Sequence, residues 1–287
     1  MEPGGDSSPR AERDTEATET ASGLRPFFGF YGGKWRDTPK YYPAPRHDTI
    51  VEPFAGSAGY SVRYFDRKVI LAERDPVIYG VWDYLIHSSA DEIRSLPDLP
   101  EGGSVNDLDV IQEARWLIGF WLNRGISRPR TKPSAWMRAG IRPGSFWGER
   151  VRSTIASQVD KIRHWQIHNC SYEDLMWSGE ATWFIDPPYQ DRGKYYHFGA
   201  NRIDFSALGE WCKERDGQVI VCEQQGADWL PFVDVAKTKT TRKDSNSHEV
   251  VWLSNSSAAG GGDGSCATAQ RGPTVRGSIE MGGEVKP

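Results

Sequence analysis

Short apolar runs alternate with amphipathic stretches through residues 24–253. The runs at 49–54 (T-I-V-E-P-F), 69–73 (V-I-L-A-E), 165–170, 181–185, 218–222 and 248–253 have the length and β-branched or aromatic content of buried strands. Between them the apolar period lengthens toward that of a helix, which predicts helices over 58–65, 77–86 and 205–215. Strands alternating with helices predict an α/β fold whose sheet is mostly parallel and covered on both faces. In such sheets ligands bind beyond the carboxyl ends of the strands, where the strand order reverses. The residues just after each strand therefore carry the most information.

Residues 88–163 break the rhythm. They open with an acidic loop, continue into a helix that Asn106 or Asp107 would cap and that runs to about 123, and pass through a Pro-, Gly- and Arg-rich segment (125–148). A second helix is expected over 149–164. The pattern predicts a catalytic unit built from 24–87 and 164–253, with 88–163 as an inserted, mainly helical lobe. The ends, 1–23 and 254–287, hold little to bury and are expected to be disordered tails.

Composition sharpens this picture in three ways. Twelve Trp, eleven Tyr and eleven Phe among 287 residues promise an aromatic-rich core. The four cysteines (Cys170, Cys212, Cys222, Cys266) show neither a C-x-x-C pair nor zinc-type spacing to His, so they read as reduced, small, buried thiols and no metal is expected. No apolar run approaches the ~18 residues of a membrane span, and the N-terminus lacks a basic segment followed by an apolar one. The expectation is a soluble, cytoplasmic protein with no membrane partner, a monomer or weak dimer.

The net charge of −4 conceals an asymmetry: residues 115–152 hold nine basic residues against one acidic, Glu149, a local charge of +8. Arg124, Arg128, Arg130, Lys132, Arg138 and Arg142 lie in its loop-like part. This is the electrostatic footprint of phosphate binding. Trp136 and Trp147 sit in the same loops as stacking candidates. Trp116 and Trp121 lie on a helix with Leu117 and Ile118 and read as core.

Two strand ends and an upstream turn carry the chemistry. In Val51-Glu52-Pro53-Phe54-Ala55-Gly56-Ser57-Ala58-Gly59 the glycines permit a tight turn and close backbone approach to a ligand. The spacing is neither G-x-G-x-x-G nor a P-loop. The next strand ends in Glu73, placed to accept hydrogen bonds from ribose hydroxyls. Upstream, Tyr31-Gly32-Gly33-Lys34 offers backbone access and a cation. After the run 181–185 comes Asp186-Pro187-Pro188-Tyr189. Two prolines remove two N–H donors and fix φ, so the segment presents acceptors alone. That suits a planar amine, which needs acceptors to free its lone pair, and Tyr189 suits stacking on the ring that carries the amine.

Together these three motifs, in this order, resemble Dam-like DNA adenine methyltransferases of phages and restriction–modification systems, in the α arrangement of amino-methyltransferases. The resemblance implies a Rossmann-like S-adenosylmethionine-dependent methyltransferase sheet with an inserted DNA-recognition lobe, S-adenosyl-L-methionine as cofactor and a flipped adenine in double-stranded DNA as substrate. It implies catalytic roles for Asp186, Pro187, Pro188 and Tyr189. It implies cofactor contacts from Tyr31, Gly33, Lys34, Glu52, Pro53, Phe54, Gly56, Ser57, Glu73, Ser171 and Asp186. Asn169-Cys170-Ser171-Tyr172 is similar to the family segment before the catalytic strand, and Tyr195-Tyr196-His197 to its target-strand loop. Two departures stand out: Ala58 where a second glycine is common, and Ser171 where many relatives carry Asp. Related N-P-P-Y motifs act on RNA and on protein glutamine, and a DNA-binding protein with a decayed site is the non-enzymatic alternative.

Overall fold

The fold is a computed structural model that describes residues 23–140, 144–191, 198–239 and 246–254. Residues 1–22 and 255–287 of the expected tails, and Arg142, Tyr195, Tyr196, His197 and Cys266, lie outside the described residues, whereas Ser254, expected in a tail, exchanges hydrogen bonds with Val219. Fourteen elements follow one another: α1 (Thr38–Tyr41), β1 (Thr49–Glu52), β2 (Lys68–Ala72), α2 (Pro76–His87), α3 (Ala90–Ser95), α4 (Gln112–Phe120), α5 (Ala135–Arg138), α6 (Glu149–Ala156), β3 (Gln166–His168), β4 (Ala181–Ile185), α7 (Phe205–Lys213), β5 (Gly217–Gln224), β6 (Val233–Lys239) and β7 (Asn246–Leu253).

The strands form one sheet in the order β3-β2-β1-β4-β5-β7-β6. β1 pairs parallel with β2 and β4, β2 with β3, and β4 with β5. β7 runs antiparallel between β5 and β6. The chain winds outward from β1 in one direction and from β4 in the other, so the order reverses between these two central strands. This order with a single reversed strand is that of a Rossmann-like, doubly wound α/β sheet. β4 is buried at all five positions, as a central parallel strand must be.

One apolar cluster joins Ile50, Val69 and Leu71 of the sheet to Ile78, Val81, Trp82 and Leu85 of α2, and continues into Leu117, Ile118, Val151 and Ile155. The segment 88–163 thus buries its apolar residues in the same cluster as one face of the sheet. The opposite face packs Val51, Trp183, Val219 and Val221 against Leu208 and Cys212 of α7 and against Tyr172.

Several elements differ from the sequence reading. The helix expected over 58–65 is only a 3-10 turn, Ser61–Tyr64. Ala58 adopts a left-handed φ of 46°, which ends any helical start there. Asp107 caps no long helix. It closes a reciprocal cap with Ser104 around the 3-10 turn Val105–Asp107, and α4 starts later, at Gln112. The helix expected over 149–164 stops at Ala156 and resumes as a 3-10 turn, Val159–Ile162. The acidic loop contains α3, whose capping box pairs Ser89 with Glu92. β6 was not expected.

Candidate functional site

The glycine-rich turn after β1 is tied to the end of β2 from several directions. Ala55 N–H donates to Ala72 O at 3.0 Å. Gly56 N–H and Asp75 N–H donate to the two Glu73 carboxylate oxygens, each at 3.0 Å. Trp82 Nε1 holds Gly56 O at 2.8 Å. Asp75 itself is spent as the N-cap of α2, accepting from Val77 N–H. Burial pushes Glu73 up to about 7 despite those N–H donors.

The Y-G-G-K turn packs directly on this one. A Cβ on Gly59 would lie 2.6 Å from Trp35 N and 2.9 Å from Lys34 N, so only glycine allows the approach. Thr38 Oγ1 donates to Lys34 O at 3.0 Å and steadies the lysine backbone. The Lys34 side chain, 6% exposed, reaches across to Asp186: Nζ lies 2.8 Å from Oδ2. Nζ also donates to Gly32 O at 2.9 Å. The other carboxylate oxygen of Asp186, Oδ1, is buried and finds no hydrogen-bond partner among the described residues. Burial raises the proton affinity of Asp186, and the Lys34 charge opposes the rise. Glu52, at the end of β1, accepts from Ser61 N–H at 2.7 Å. Its burial pushes it up to about 8.

Asp186 follows β4 directly, and Pro187, Pro188 and Tyr189 continue the segment. The Tyr189 ring lies 5.0 Å from Lys34 Nζ, a cation–π distance. Its hydroxyl donates to Glu249 Oε2 at 2.7 Å, and Tyr42 donates to the same oxygen at 3.4 Å. Gln190 N–H donates to Glu223 Oε1 at 2.9 Å. Burial holds the Tyr189 hydroxyl protonated, with the Asp186 and Glu249 charges adding to the effect.

These groups surround one cavity beyond the carboxyl ends of β1, β2 and β4, about 1030 Å³ with its open mouth included. Tyr31, Gly33, Lys34, Glu52, Pro53, Phe54, Gly56, Ser57, Glu73, Ser171 and Asp186 all line it, and so does Pro188. Pro187 and Tyr189 are not among the lining residues. Asn169 Nδ2 donates to Glu73 O at 2.8 Å, which docks the segment before β4 on the end of β2. The Ser171 hydroxyl lies 3.0 Å from both Glu173 Oε2 and Asp174 Oδ2, so two acids stand beside it.

The sequence reading did not anticipate Arg74, Ser127, Phe198 and Arg202, which also line the cavity. The guanidinium groups of Arg74 and Arg202 each lie 5.3 Å from the Phe198 ring. It also missed Glu223 and Glu249. An acid inside an otherwise apolar strand is the signal that would have found them, since such residues are seldom buried without a purpose.

The basic residues behave in two ways. Arg124, Arg128, Arg130, Lys132 and Arg138 are exposed, and among the described residues they stand outside the cavity lining. Their loop is pinned at its ends: Tyr31 N–H donates to Ile126 O at 3.0 Å, Arg130 N–H to Gly119 O at 3.1 Å and Ser134 N–H to Leu122 O at 3.0 Å. Arg115 and Arg152 serve the fold instead. Arg115 donates twice to Leu108 O, and Arg152 pairs with Asp98. The stacking expectation divides likewise. Trp147 is 6% exposed and donates to Pro97 O, whereas Trp136 is 56% exposed. Trp116 and Trp121 pack against the core.

Among the described residues, no helix is long and apolar enough to cross a membrane, and no cluster of three or more His, Cys, Asp or Glu could hold a metal. No protein-family model and no curated protein matches the chain. Among solved structures it is similar to a conserved hypothetical protein of Streptococcus pyogenes, at 11% identity and a TM-score of 0.33, over 71% of this chain and 84% of that one. It is also similar to the rRNA methyltransferase AviRa of Streptomyces viridochromogenes, at 14% identity and a TM-score of 0.35, over 76% and 80%. The assignment of the fold rests on strand order and direction, not on these distant likenesses.

Proposed function

We propose that this protein transfers a methyl group from S-adenosylmethionine to the exocyclic amine of a flipped adenine in double-stranded DNA. The observation that carries the reading is Asp186 Oδ1, a buried acceptor without a partner among the described residues, at the start of a segment whose prolines supply no N–H. It borders a cavity walled by a glycine-rich turn and closed at the ribose end by Glu73.

The residues fit the cofactor. Glu73 retains lone pairs for two ribose hydroxyls while accepting its two backbone N–H groups. Phe54 offers an apolar face to an adenine ring, and the 31–34 and 56–59 turns allow close approach to the methionyl part. S-adenosylmethionine, when bound, supplies an electrophilic methyl group on a sulfonium centre. Asp186 and the Pro187 carbonyl accept the two amine hydrogens and turn the nitrogen lone pair toward that methyl. As the nitrogen becomes cationic, the Asp186 carboxylate stabilises it. Lys34 opposes the rise in proton affinity that burial imposes on Asp186 and, by holding Oδ2, leaves Oδ1 for the amine. The nitrogen lone pair would form the new bond to the methyl carbon, the carbon–sulfur bond would break with its electron pair left on sulfur as a neutral thioether, and the surplus proton on nitrogen would pass by way of the Asp186 carboxylate to solvent. Holding the reactants in line contributes roughly 7–11 kcal/mol of the barrier reduction. An adenine within a duplex is out of reach, so it must leave the stack, and Tyr189 replaces the stacking it loses.

Double-stranded DNA is supported by the exposed run of Arg124, Arg128, Arg130, Lys132 and Arg138. The test is transfer of a labelled methyl group to unmethylated duplex DNA, with RNA of the same sequence alongside. Label in N6-methyladenine of the DNA, abolished by Asp186→Ala, is expected. Label on RNA alone, or label that survives Asp186→Ala, refutes the proposal.

A further inference from the structure

We infer that Glu249 on β7 and Glu223 on β5 are positioning residues that clamp the 186–189 segment from its far end. The inference rests on reading that segment as the amine-binding site. Pro187 and Pro188 have no N–H, so the segment cannot be tied down by main-chain donors at either position. The donors that anchor it come just afterwards. The Tyr189 hydroxyl donates to Glu249 at 2.7 Å, and Gln190 N–H donates to Glu223 at 2.9 Å.

Both acceptors come from the antiparallel β5–β7 pair, in which Glu223 faces Val250 and Gln224 faces Glu249. The reversed strand carries Glu249 to the carboxyl end of the parallel sheet. Glu223 is 1% exposed, an acid kept in an apolar strand at an energetic cost that its bond to Gln190 helps offset. The Tyr189 ring is fixed twice, with Lys34 Nζ 5.0 Å from its centroid and Glu249 at its hydroxyl. Displacement of the Tyr189 main chain would carry the Pro187 carbonyl and Asp186 with it, because two prolines of fixed φ join them. Glu249 therefore sets the geometry of the acceptors without touching substrate.

The test combines Glu249→Leu, Glu249→Gln and Tyr189→Phe. Glu249→Leu should lower kcat for methyl transfer by about tenfold or more, the usual scale of a small misplacement. KM for the cofactor should stay within about twofold, because Glu249 is outside the cavity lining. Glu249→Gln keeps an acceptor and should recover most of the rate. In a Tyr189→Phe background, Glu249→Leu should cost almost nothing further. Independent losses in the double variant, or a loss carried entirely by KM, overturn the inference. A second readout does not need activity: 3-fluorotyrosine at position 189 should shift its 19F resonance on Glu249→Gln, and an unmoved resonance overturns the clamp. A wild-type protein that methylates no nucleic acid sinks the proposed function instead, and the resonance then decides the clamp alone.

Discussion

Replacing Glu52 by Gln should make the protein more stable in alkali and leave it nearly unchanged in mild acid. Glu52 is 2% exposed at the end of β1 and accepts from the Ser61 N–H at 2.7 Å. Burial moves it from its ordinary 4.5 to about 8. The native state then holds a proton between these values that the unfolded chain releases. Stability from this group is complete below about pH 4.5 and is lost as pH rises through about 8. Each tenfold change in proton affinity is worth about 1.36 kcal/mol, so the loss approaches about 5 kcal/mol once Glu52 is forced to ionise. Glutamine keeps an oxygen for Ser61 N–H and carries no charge, so the variant escapes that loss. In a domain of this size 1 kcal/mol moves the melting temperature by about 2–4 °C. Melting curves of both proteins from pH 5 to pH 9 should therefore coincide at the acid end and separate by roughly 10 °C or more at the alkaline end. Glu73 and Glu223 also titrate high, at about 7 and about 8, but they are present in both proteins and cancel in the difference. A separation that is constant with pH, or largest at pH 5, would refute the reasoning.

Three further outcomes are expected. Gly59→Ala places a Cβ 2.6 Å from Trp35 N and pushes the Lys34 backbone off the turn. Calorimetry should show cofactor affinity falling at least about tenfold, with ~1–3 kcal/mol of stability lost, as for other overpacked sites. Ala58→Gly releases a left-handed backbone worth ~1–2 kcal/mol but gives up a buried methyl and adds unfolded-chain entropy. Urea unfolding should therefore find it within about 1 kcal/mol of wild type, whereas Ala58→Val should lose more than ~2 kcal/mol. Reversing Arg128 and Arg130 to Glu should weaken DNA binding and reduce the slope of log affinity against log salt by about 2, and an unchanged slope would exclude this loop from the interface.

The strands of the central sheet were legible because a doubly covered parallel sheet demands unbroken apolar runs, which few other structures require. β6 was hidden because V-D-V-A-K-T-K is the polar alternation of an edge strand. The helix expected at 58–65 failed on one backbone angle, that of Ala58, which no periodicity registers. The part of the cavity lining supplied by the three motifs could be anticipated since it sits at strand ends and in glycine turns, whereas Ser127, Phe198 and Arg202 come from outside those motifs. The partner of Glu249 could not be anticipated, because its bond to Tyr189 spans 60 residues and depends on the reversal of β7. Lys34 was visible as a cation beside a turn, but its partner Asp186 is 152 residues away and emerges only when the two turns pack together.

Tyr31 and Ser127 share the mouth of the cavity, and the bond from Tyr31 N–H to Ile126 O joins their chains just before Arg128. A polyanion that gripped the basic loop, as proposed, would therefore pull on the rim of the cavity proposed to hold the small molecule. Linkage makes that pull mutual: whatever factor a filled compartment adds to polyanion affinity, the polyanion returns to the small molecule. The two ligands are then obliged to report on each other's presence, whichever arrives first.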